Sequence, residues 1–70
     1  MNMEIFKIKS ARKRRLKILG STSKEKNVKG RYTQAYNKVN YVAKNSKNSL
    51  TRLKAVKDAE YFKRKLGRYS

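Results

Sequence analysis

The chain contains no cysteine and no histidine, and its only acidic residues are Glu4, Glu25, Asp58 and Glu60. Without thiols, no disulfide or thiolate metal site can stand in for a core. Without imidazole or thiolate, the usual zinc and iron ligand sets, histidine acid–base chemistry and cysteine nucleophiles are excluded. A paired-carboxylate site would have to come from Asp58 and Glu60, flanked by Lys57 and Lys63. Two acids so placed read more simply as the start of a helix, so neither catalysis nor a cofactor is expected. Proline is absent too, and there is no low-complexity linker and no internal repeat. No run approaches the ~20 apolar residues that cross a bilayer, so no membrane insertion is expected. The opening MNMEIFKIKS lacks the apolar stretch of a secretory signal, and Glu4 is out of keeping with an organellar presequence.

What remains is small and strongly basic. Seventy residues make one domain, taken as 1–70, with residues 1–6 expected to be extended or flexible. A chain of this size buries only about 60% of its unfolded surface and is marginal alone. Its large apolar residues number sixteen (five Leu, three Ile, four Val, two Phe, two Met). That suffices for a thin core around two or three elements and is too little for a substrate pocket, so no small-molecule substrate is expected. Lys and Arg total 21 against four acids, a net charge of +17 and a pI near 10.7. Self-repulsion at this density opposes compaction, and a polyanion relieves it, because each neutralised phosphate releases a counterion. Nucleic acid is the first expected partner, anionic membrane the second, an acidic protein the third.

The stretch KIKSARKRRLKILGS (7–21) concentrates the charge in Lys7, Lys9, Arg12, Lys13, Arg14, Arg15 and Lys17. Ser10 can cap a helix beginning at Ala11, and Gly20 can close it by taking a positive φ. Arg12 through Arg15 cover a full turn, which leaves no broad apolar face for a membrane surface. Phosphates, in contrast, can approach such a helix from several sides. GSTSKEKNVKG (20–30) reads as turn and loop. In RYTQAYNKVNYVAKNS (31–46), Tyr32, Ala35, Tyr36, Val39 and Ala43 follow a helical period, although Tyr, Val and Thr also favour strands. Leu50, Leu53 and Val56 are spaced to line a core. Asp58 is a good N-cap, Glu60 suits the first turn, Lys63, Arg64 and Lys65 suit the last, and Gly67 is a stop, so a helix is expected over 59–66. Of the five tyrosines, Tyr36, Tyr41 and Tyr61 are expected in the core, while Tyr69 beside Arg68 is open to a nucleic-acid contact. No helix-turn-helix spacing is evident, and basic residues spread over every segment fit burial within folded RNA better than a single recognition helix.

The first block resembles the opening of the bacterial-type large-subunit ribosomal protein family numbered thirty-five, which begins with a stretch close to KTKSAAKKRFKVTGSGK. Lys7, Lys9, Ser10, Ala11, Lys13, Arg15, Lys17, Gly20 and Ser21 match without a gap. NYVAKNSKNSLTRLKA keeps Lys44, Ser46, Leu53 and Lys54 at compatible places, and DAEYFKRKLGRY (58–69) is similar to the family's closing segment. The chain departs from the pattern at Thr22, at Gly67, and in a middle region poorer in cations. A second basic family of the same subunit, numbered twenty, shares some spacing around Tyr32, Ala35 and Val39 but fits the first block less well.

The resemblance implies an α+β fold with an N-terminal helix, about three short strands and a C-terminal helix, its thin core ordered by rRNA. It implies a structural constituent of the large ribosomal subunit, in a bacterial cytoplasm or a plastid or mitochondrial matrix. Its partners would be large-subunit rRNA and neighbouring ribosomal proteins rather than further copies of itself. Lys7 to Lys17 would meet phosphates where rRNA helices converge, and Lys24, Lys29 and Arg31 would follow the backbone from the loop. Lys44, Lys47, Arg52 and Lys54 would grip a second strand, and Lys63, Arg64, Lys65, Arg68 and Tyr69 would anchor the last helix. The rival expectation is a freestanding small DNA-binding protein, such as a phage or nucleoid protein; a membrane-active cationic peptide is a third.

Overall fold

A computed structural model describes residues 3–22 and 27–68, and helices account for most of them. A 3-10 helix, Met3–Lys7, is followed by α1 (Ala11–Gly20), α2 (Val28–Asn45) and α3 (Ser49–Gly67). No strand occurs among the described residues, so the α+β expectation is overturned. The helical period of 31–46 prevails over the β propensity of its tyrosines and valines, because it places Ala35, Val39 and Val42 together on one buried stripe. A strand of the same sequence would alternate its faces and expose half of that set.

Ser10, Asn27 and Asn48 are the N-caps of α1, α2 and α3, so the capping role the sequence reading gave to Asp58 falls to Asn48. Ser10 does cap α1, its hydroxyl accepting from the Lys13 N–H at 3.3 Å. Asn27 caps α2 by accepting from the N–H groups of Lys29 (2.8 Å) and Gly30 (3.3 Å), so residues 28–30 are helical rather than loop. Asn48 caps α3 through Thr51 N–H at 3.0 Å, and the last helix therefore starts at Ser49, well before the expected 59. Gly20 and Gly67 are the final residues of their helices, and no described glycine has a positive φ. The end of α1 is closed by the residues that follow it, Ser21 N–H donating to Lys17 O and Ile18 O and Thr22 N–H to Leu19 O. Arg31 Nη2 also donates to Leu19 O at 3.4 Å and Lys38 Nζ to Ser21 O at 3.2 Å, cations set against the negative end of the helix.

Helices α2 and α3 form a hairpin across the connection 46–48. Their shared face holds Ala35, Val39 and Val42 from one helix and Ala55, Ala59 and Phe62 from the other, both sets at i, i+4, i+7. Ala35 and Ala55 are wholly buried, and their small side chains let the helix axes approach closely. Ile18 of α1 and Phe6 of the 3-10 helix complete the core, so residues 3–7 are anchored rather than extended. Phe62 is the centre of an aromatic group, with Tyr61 edge-on at 5.3 Å and Tyr32 tilted at 6.1 Å. Such pairs add about 0.5–1.5 kcal/mol beyond burial. The core is thus made by the chain's own residues. Tyr36 and Tyr61 pack against it, but Tyr41 is exposed, and so are Leu50, Leu53 and Val56.

Candidate nucleic-acid interface

Asp58 lies on the buried face of α3, between Ala55 and Phe62, and is wholly shielded from solvent. It is the counter-ion of α1. Arg14 donates from Nε to Oδ2 and from Nη2 to Oδ1 (2.9 Å), a bidentate pair, and Arg15 adds Nε to Oδ1 at 3.0 Å. The Arg14 side chain is 4% exposed and its Nη1 also reaches Ile8 O at 3.2 Å. Arg15, 22% exposed, places its guanidinium carbon over the Tyr61 ring, 4.3 Å from the centroid. A desolvated charge of this kind holds only when it is paired and hydrogen-bonded, and here one carboxylate meets two guanidinium groups. Asp58 and Glu60 are therefore not a carboxylate dyad: the first is engaged with α1 and the second is exposed.

This pairing divides the expected phosphate-binding residues. Arg14 is structural and out of reach of a phosphate, and Arg15 is half-committed to Asp58 and Tyr61. Arg31 and Lys54 are also drawn inward, Arg31 to Leu19 O and Lys54 to Phe6 O at 2.8 Å, where it fastens the 3-10 helix to α3. Lys65 is half-buried, its ammonium 5.4 Å from the Tyr61 centroid. Lys24 and Tyr69 lie outside the described residues.

The other expected phosphate-binding cations are exposed. Lys7, Lys9, Arg12, Lys13 and Lys17 spread over the 3-10 helix and the outer side of α1. Lys63, Arg64 and Arg68 lie along the C-terminal half of α3, where Lys57, not among the expected set, extends the row: it is seven residues before Arg64 and so on the same face. Arg52 stands in the first turns of α3 and Lys47 in the hairpin connection. On α2 only Lys29 and Lys44, near its two ends, are exposed, and the outer face between them carries Thr33, Asn37 and Tyr41. Positive charge is thus densest on α1 and α3, and α2 is the least charged side. The molecule is 31 Å long, which spans about nine phosphates of one B-form strand at a rise of roughly 3.4 Å.

Among the described residues, no cluster of His, Cys, Asp or Glu is placed to hold a metal ion, and no helix is long and apolar enough to cross a membrane. The chain is defined by its structure as a small all-helical basic protein held together by a buried ion pair. No family model, curated protein or solved structure matches it.

Proposed function

We propose that the chain binds the phosphate backbone of nucleic acid, and that folded rRNA of a large ribosomal subunit is the polyanion it serves as a structural constituent. The observation that carries this reading is the set of thirteen exposed lysines and arginines among the described residues of a chain of net charge +17. Phosphates neutralise such a surface, with counterion release as the driving force. The ribosomal setting rests on the likeness of KIKSARKRRLKILGS alone, because the helical fold is not the one that likeness implies. Of the matching cations, Lys7, Lys9, Lys13 and Lys17 are exposed and free to meet phosphates, while Arg15 partly serves α1 docking.

The second reading is a freestanding DNA-binding protein. It is favoured by a core in which the chain buries its own Phe6, Ile18 and Phe62 and neutralises its own Arg14. A chain ordered only by surrounding rRNA has no need of that internal counter-ion. Fractionation separates the two. Tagged chain from a cell extract is run on a sucrose gradient after a moderate salt wash. Co-sedimentation with large subunits supports the ribosomal reading; recovery only in soluble or nucleoid fractions defeats it and favours DNA.

A further inference from the structure

Between α1 and α3 lies a cleft of about 210 Å³, lined by Arg12, Arg15, Leu16, Leu19 and Tyr61. The four α1 residues follow i, i+3, i+4, i+7 and so form one face of that helix, opposite Tyr61 of α3. We propose that this cleft receives a single unstacked nucleobase of a single-stranded segment, an inference that rests on the nucleic-acid reading above and adds base contact to it.

Four observations carry the assignment. The Arg15 guanidinium carbon sits over the Tyr61 ring, 4.3 Å from its centroid, so a cation and an aromatic face already meet at the wall of the cleft. A guanidinium plane is a surface on which unpaired bases stack. Its Nε is held by Asp58 at 3.0 Å, which fixes the plane before any ligand arrives. Leu16 is 60% exposed at the rim and Leu19 half-buried beside it, an apolar lining that suits the face of a base and repels a bare phosphate. The volume falls below the roughly 300 Å³ at which small-molecule sites begin, so one flat ring system is admitted while sugar and phosphate stay outside. There the exposed Arg12 and the half-buried Lys65, 5.4 Å from the same tyrosine, supply the charge.

The test uses the full chain and two fluorescently labelled oligonucleotides of equal length, one single-stranded with its bases and one abasic throughout. The unaltered protein is expected to bind the base-bearing strand about 5- to 150-fold more tightly, the range that one stacked base supplies. Arg15→Lys keeps the charge and a partner for Asp58 but loses the flat surface, and should abolish the preference. Leu16→Gln alters only an exposed side chain and should narrow the preference, which decides the matter if Arg15→Lys weakens the fold by circular dichroism. Equal affinity of the unaltered protein for both strands overturns the cleft assignment while leaving backbone binding intact. Failure to bind either strand overturns the nucleic-acid reading itself. A preference retained in both variants refutes the role of the cleft.

Discussion

Replacing Asp58 by Ala removes the carboxylate that both Arg14 and Arg15 address. Arg15 is 22% exposed and can turn to water, but Arg14 is 4% exposed and would be left as a buried charge with only Ile8 O to bond. Breaking a buried pair from one side costs about 3–5 kcal/mol. At roughly 0.05–0.15 kcal/mol per residue, a 70-residue chain has about 3.5–10 kcal/mol in total, so the substitution removes a large share of it. In urea, with a slope near 1 kcal/mol/M for so small a domain, the midpoint should fall by about 3 M or the chain should be unfolded without denaturant. Helical circular dichroism reads this directly. Asp58→Asn keeps the shape and loses the charge, and should retain little of the stability. The double variant Arg14→Met/Asp58→Leu fills the same space without charges and should recover most or all of it, since apolar replacements of buried pairs are often neutral or stabilising. A midpoint shift below roughly 0.5 M in Asp58→Ala, with unchanged slope, would refute the claim that this carboxylate fastens α1 to α3.

The remaining expectations concern surface against interior. Arg14→Glu should abolish nucleic-acid binding by unfolding the chain, whereas the pair Arg12→Glu/Lys13→Glu should leave the unfolding free energy from urea titration within about 0.5 kcal/mol of the original and weaken binding alone; equal stability loss in both would contradict the buried and exposed assignments. Ala35→Leu adds bulk where α2 and α3 are closest, and should destabilise by about 1–3 kcal/mol in the same titration. Ser10→Ala removes the α1 cap and should take away about 0.5–2 kcal/mol. If six to ten phosphates are engaged, affinity for duplex should drop about 10³- to 10⁵-fold between roughly 50 and 200 mM salt, measured by anisotropy; a flat salt response would speak against backbone binding.

Local signals were legible in the sequence, and long-range ones were not. Ser10 marks the start of α1 because capping needs only the residues three positions on. The period of Tyr32, Ala35, Tyr36 and Val39 marks α2 because burial on a helix must follow 3.6 residues. The three strands implied by family likeness conflicted with that period, and the period prevailed. Asp58 misleads because the same short acidic side chain serves equally as an N-cap and as a counter-ion. Only the position of Arg14, 44 residues away, distinguishes the two. The same blindness made Arg14 look like a phosphate ligand. Asn48, the true cap, sits in a run of Asn, Ser and Lys in which several residues offer a cap. Leu50, Leu53 and Val56 are spaced by three without the matching fourth positions, so their stripe winds away from the core face that Ala55, Ala59 and Phe62 occupy.

The contact between Arg14 and Asp58 also sets an order of events in time. The α2–α3 hairpin closes over a short connection and can pair early, since its contacts are local in the chain. Once it is paired, the start of α2 and the end of α3 lie at the same end of the hairpin, and α1 has only a short tether to cross before it docks. Docking of α1 is then expected after the barrier, with the ion pair acting as a latch on the finished molecule. Removing it should leave the refolding rate nearly unchanged and speed unfolding, as expected for an interaction absent from the transition state. A pull from the N-terminal side would meet the Phe6 and Lys54 contacts of the 3-10 helix first and that latch next.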